Sequence, residues 1–115
     1  MAGRYDFKLD AGSTFPLQFQ WKVNGGFVPL MDYTARMQIR ERDANGCVVS
    51  DLSTENGGIE IEPYTGTVRI LIPAQDTEHI KCPLCVYDVE LINGDTVTRI
   101  LEGRIKVSPN VTKGC

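Results

Sequence analysis

The sequence has one histidine, one tryptophan and no long apolar run, and each shortage removes a class of function. His79 is the single histidine, and no Ser or Cys lies in a strained-turn motif such as Gly-x-Ser-x-Gly to use it as a base. Its neighbours Asp76 and Glu78 suit the solvated side of a short helix. No apolar stretch reaches the ~18 residues that a membrane-spanning helix needs. The opening residues Met1 to Asp6 carry no apolar stretch that could act as a secretion signal. The expectation is folding in the cytoplasm, where thiols stay reduced, so Cys47, Cys82, Cys85 and Cys115 read as free thiols.

The charge is also sparse and of the wrong sign for nucleic acid. The formal net charge is −3, whereas displacing counterions from phosphates calls for a cationic surface. Asn24-Gly25-Gly26 and Asn56-Gly57-Gly58 lack the lysine and the following helix of a phosphate-binding loop. There is no internal repeat, no low-complexity tract, and no strand–helix alternation of the kind a parallel α/β fold requires.

What is present is a two-residue period. Phe15, Leu17, Phe19, Trp21 and Val23 alternate with Pro16, Gln18, Gln20 and Lys22, which predicts a half-buried strand with an aromatic core face. Asn24-Gly25-Gly26 closes it in a tight turn. The pattern repeats over 4–9, 34–42, 47–52, around Ile59 and Ile61, over 67–72 and 84–92, and from Thr96 to about Val107. Asn93-Gly94-Asp95 predicts a hairpin before the last strand, and Gly103 a bulge within it. Residues 73–80, bounded by Pro73 and Pro83, leave room for a helical turn or two. The 115 residues therefore predict one all-β domain over 1–109, an antiparallel, Ig-like sandwich of about eight strands, followed by a tail over 110–115.

Three groups of residues invite a chemical reading. His79 with Cys82 and Cys85 has zinc-like spacing, and Cys47 could join it, but a second ligand pair is missing and Cys85 falls on an inward face. The expectation is inert thiols, with no metal, cofactor or catalytic residue. Glu60, Glu62, Asp88 and Glu90 alternate with apolar residues and read as outer strand faces. Arg36, Gln38, Arg40 and Arg42 form a basic stripe, either an interface or a ladder of salt bridges to the acidic strands.

The segment Tyr5 to Phe15, with Gly12-Ser13-Thr14-Phe15 at its end, resembles the opening of a family of small tailed-bacteriophage virion proteins. In that family a short strand leads through a Gly-x-Thr-Phe turn into an alternating aromatic strand. The resemblance continues through Phe27 to Arg40, Val86 to Leu91, and Leu101-Glu102-Gly103, and spans roughly residues 4 to 109. The sequence is similar, more distantly, to the N-terminal domain of phage baseplate upper proteins. It departs from the family at Cys82 and Cys85, where the family has small residues.

The resemblance implies a β-sandwich without an active site, present in multiple copies in the virion after synthesis in the host cytoplasm. Its partners would be tail, baseplate, portal or capsid proteins, with neither nucleic acid nor membrane. Candidate interface residues are Gly26, Phe27 and Val28 after the glycine turn, Tyr64 in its own turn, and Arg36 and Arg40 of the basic stripe. Each of these also fits ordinary loop, core or ladder packing. The alternative function is a soluble carbohydrate- or small-ligand-binding sandwich using an exposed Trp21 or Tyr64.

Overall fold

A computed structural model describes residues 3–23, 26–27, 30–80 and 82–109. In chain order its elements are β1 (Gly3–Arg4), β2 (Phe7–Asp10), β3 (Phe15–Gln20), β4 (Lys22–Val23), β5 (Gly26–Phe27), β6 (Thr34–Glu41), β7 (Val48–Ser53), β8 (Ile59–Glu62), β9 (Thr67–Ile72), α1 (Ala74–Thr77), β10 (Leu84–Asn93) and β11 (Thr96–Ser108). No helix among the described residues is long and apolar enough to cross a membrane.

The strands form an all-β sandwich of unequal sheets. The larger sheet has the order β1-β11-β10-β6-β7, with β2 also paired to β11, and the smaller has the order β3-β9-β8. The chain passes from one sheet to the other repeatedly. The facing sides meet in one core. Met37 and Ile39 of β6, Cys85, Val89 and Leu91 of β10, and Ile105 of β11 bury against Val68, Ile70 and Ile72 of β9. Each large aliphatic side chain removed from water here contributes about 1.5–3 kcal/mol before entropy is counted.

The helical stretch is a single turn that begins directly after Pro73. Its buried Thr77 ties it to the crossover between the sheets. The hydroxyl accepts from the Gly12 N–H at 3.0 Å and lies 2.8 Å from the Ser13 carbonyl. Asp76 accepts from the Ser50 hydroxyl at 2.8 Å, linking the turn to β7.

Three features differ from the sequence expectation. The strand expected over 4–9 is two short strands, and both pair in parallel with β11, whereas the other paired strands are antiparallel. Trp21 lies just beyond the end of β3 and is half-buried, packing against the core from outside and meeting the Tyr33 ring edge-on at 6.1 Å. The irregularity in β11 falls at Ile100, between Arg99 paired to Glu90 and Leu101 paired to Val89, and not at Gly103.

Gly103 serves a different purpose. Between β1 and β2 the chain arches over β11, held by a hydrogen bond from the Tyr5 N–H to the Glu102 carbonyl at 3.0 Å. A Cβ on Gly103 would sit 2.1 Å from the Tyr5 carbonyl oxygen, so only glycine permits this approach. The Asp6 carboxylate accepts from the Arg104 N–H at 2.8 Å, and the buried Tyr87 hydroxyl donates to the same Tyr5 carbonyl. Gly103→Ala is therefore expected to destabilise the protein by about 1–3 kcal/mol through forced backbone movement. A urea melt indistinguishable from the parent's would show that the arch does not sit against β11.

Candidate functional site

Alternation along β10 decides which side chains reach solvent. Cys85, Tyr87, Val89 and Leu91 point into the core, so Val86, Asp88 and Glu90 face outward. Register then sets their neighbours: Arg40, Gln38 and Arg36 of β6 on one side, and Arg104, Glu102 and Arg99 of β11 on the other. The outer face of the large sheet is thus a lattice of charges around one central strand.

At the end of this face near the start of β6, opposite charges pair. Arg36 lies 3.9 Å from Asp51, Arg99 lies 3.4 Å from Asp88 and 3.7 Å from Glu102, and Gln38 donates to Asp51 at 3.2 Å. These contacts are exposed, and each is worth at most about 1 kcal/mol. Among the described residues, only Arg36 of the arginine stripe has an ion pair here, and its partner is Asp51 of β7, not one of the acidic residues of β8 or β10.

Toward the other end the pattern changes. A groove of about 490 Å³ opens along the outer face, with five arginines (Arg4, Arg40, Arg42, Arg99 and Arg104) and three carboxylates (Asp43, Asp88 and Glu102) in its lining. Arg40 is held by neutral acceptors, donating to the Gly46 carbonyl at 2.9 Å and to Gln38 Oε1 at 3.1 Å. Among the described residues, no carboxylate lies within 4.0 Å of the guanidinium groups of Arg40, Arg42 or Arg104, although the Asp6 carboxylate meets the Arg104 backbone N–H. A protein of net charge −3 therefore presents a locally cationic groove. The sequence pointed to Arg36, Arg40 and Arg42 but missed Arg4, Arg99 and Arg104. For Arg104 the signal was its outward place in the alternation with Ile105 and Val107.

A second surface lies at the loop end. Tyr64 is 77% exposed and Met31 is 55% exposed. With Tyr33, Leu30 and Ile61 they line a hollow of about 330 Å³. The turn carrying Tyr64 also anchors the β4–β5 ribbon on both sides. The Trp21 N–H donates to the Gly66 carbonyl, and the Leu30 N–H to the Pro63 carbonyl, each at 2.8 Å. The candidates Gly26 and Phe27 are paired to Val23 and Lys22 in that ribbon, while Val28 lies outside the described residues. Chain connectivity and these two hydrogen bonds link the ribbon to the Tyr64 turn. Arg36 and Arg40 belong to the separate outer face.

The sulfur chemistry is muted. Cys85 is fully buried and its thiol is pushed up to about 11, chiefly by burial and then by Cys82 and Glu41, so it stays protonated. Cys47 and Cys82 are free, and His79 is exposed beside Glu78 at 3.7 Å. Among the described residues, no three His, Cys, Asp or Glu side chains are placed to share a metal ion.

No protein-family model matches the sequence, and a search among curated proteins finds no match.

Burial and the nearby Asp6 raise the Tyr87 phenol well above its ordinary value of 10.0. A pKa raised in the folded state gives stability that is complete below the unfolded value and is lost as pH climbs through the folded one. Stability is expected to decline first above pH 9.0, as Cys85 begins to titrate in the unfolded chain, and more steeply above pH 10.0. Tyr87→Phe is expected to lose about 1 kcal/mol at neutral pH, where the hydrogen bond to Tyr5 is missing, and to show a shallower decline above pH 10.0. Urea melts across this range check both, and an unchanged slope in the variant would contradict them.

Proposed function

We propose that the chain is a non-enzymatic structural or adaptor protein of a tailed-bacteriophage virion, docking on the tail, baseplate, neck or capsid surface through protein–protein contacts. An adaptor must offer two separate surfaces on one rigid body. The observation that carries this reading is the placement of two chemically unlike surfaces at opposite ends of β6. Tyr33, just before β6, lies at the hollow beside Tyr64, whose lining holds two tyrosines, the Asp32 carboxylate and no cation, while Arg40 and Arg42 lie in the cationic groove at its far end. A strand of this length spans about 25 Å, far enough for two partners to sit without touching. The buried core between the sheets supplies the rigidity.

The particle setting comes from the resemblance of residues 4 to 109 to small virion proteins. In a symmetric particle, modest contacts are multiplied by copy number, so neither surface has to be large. The partners are other virion proteins, and neither nucleic acid nor membrane is among them. The exposed Tyr64 and its hollow also favour a second reading, a sandwich that binds a carbohydrate or small ligand there.

Mass spectrometry of purified virions tests the proposal. The chain is expected in mature particles in many copies. Abundance in infected cells with absence from particles would overturn the structural reading, and binding of a free sugar dependent on Tyr64 would favour the second one.

A further inference from the structure

We infer that the cationic end of the outer groove binds an acidic, partly apolar peptide segment of a partner protein. The inference rests on the docking reading above, though not on the virion setting, and it names the chemistry of one docking surface.

Arg40 pairs with Val86, and Val86 pairs with Arg104, so the three stand in one row across β6, β10 and β11. Two strand spacings separate the arginine backbones by about 10 Å, with the valine between them. In the next outward row Leu84, 39% exposed, pairs with Lys106, and the Arg42 N–H donates to the Leu84 carbonyl at 2.9 Å. The result is an apolar strip, Val86 and Leu84, with cations on both sides.

The cations are available. Arg40 is oriented by two neutral acceptors, so its position is fixed while its charge is not cancelled. Arg42 has a φ of 68°, a left-handed conformation that costs a side-chain-bearing residue energy. That strain is retained at a residue whose side chain lines the groove.

Charge and apolar character together select the occupant. Guanidinium groups suit planar carboxylates, which they hold by paired hydrogen bonds. Val86 and Leu84 offer contact to leucine-like side chains between those carboxylates, which a phosphate backbone cannot use. Asp43, Asp88 and Glu102 also line the groove and repel a continuous polyanion. A protein segment fits this mixture better than nucleic acid.

The test uses the full chain, labelled with nitrogen-15, and a capped octapeptide that alternates glutamate and leucine. Its glutamine counterpart and a short DNA duplex serve as competing probes. The glutamate peptide is expected to shift the amides of Arg40, Leu84, Val86 and Arg104, and to weaken roughly tenfold as salt rises from about 50 to about 300 mM. The double variant Arg40→Gln with Arg104→Gln should bind at least roughly tenfold more weakly, the loss expected for charge-assisted contacts. Arg42→Gly should also weaken binding, at a melting temperature no lower than the parent's, because it relieves the strained backbone. Equal binding of the glutamine peptide, shifts confined to other surfaces, tighter binding of the duplex, or no binding at about millimolar peptide would each overturn the inference. A double variant that still enters particles in full copy number would sink the groove and spare the docking reading. A groove that binds the peptide in a chain absent from particles would uphold the groove and sink the virion reading.

Discussion

The register of β10 is the constraint on which the rest of the molecule depends. Four of its side chains, Cys85, Tyr87, Val89 and Leu91, are sealed in the core between the sheets. Slipping the strand by one residue would carry all four to solvent and draw Asp88 and Glu90 inward, a cost of many kcal/mol. Burial on the inner face therefore fixes the outer face. Val86 is held between Arg40 and Arg104 by core packing on the opposite side of the sheet, not by any attraction among those three residues. Like charges on flanking strands are tolerated because the inner face dictates the pairing.

The arch at Tyr5 extends this logic to the sheet edge. Tyr87 is buried on the inner face, yet its hydroxyl reaches the backbone that crosses over Gly103. Phe7 then stacks on Phe15 with ring centres 4.8 Å apart and tilts against Tyr87 at 5.2 Å, so aromatic contacts tie the first strands to both sheets. The parallel pairing of β1 and β2 with β11 also occupies what would otherwise be a long exposed edge of the large sheet.

Much of this was legible in the sequence because alternation reports burial directly. The strand expected over 67–72 is β9, and the expectations for 84–92 and for the hairpin at Gly94 match β10 and β11 within one or two residues. The proline at 73 marks the start of α1, which ends at Thr77, well before Pro83. Partnerships between distant strands were not legible. Alternation says that Arg104 points outward, but only the pairing of β6, β10 and β11 brings it to the same groove as Arg40. Gly103 reads as a bulge because a glycine in a strand carries the same local signature whether its own backbone bends or another backbone presses on it. Trp21 alternates correctly with Phe19, yet β3 ends at Gln20 and the ring stays half-buried. For the arginine stripe, ladder and interface were both open in the sequence, and the surroundings differ between the two ends of β6. Arg36 has a carboxylate neighbour, whereas Arg40 has a carbonyl that only the turn at Gly46 could supply.

In the proposed docking, the guanidinium groups of Arg42 and Arg104, exposed on this acidic protein, are the ones a partner covers. An arginine-selective reagent measures this directly. The free chain and purified particles would be labelled in parallel, and modification at Arg40, Arg42 and Arg104 would be read by peptide mass spectrometry. Ready labelling of Arg42 and Arg104 is expected in the free chain and strong protection in the particle, with the half-buried, hydrogen-bonded Arg40 slower in the free chain and exposed Arg69 on the opposite sheet little changed. Equal labelling of Arg42 and Arg104 in both states would show that no partner covers the groove.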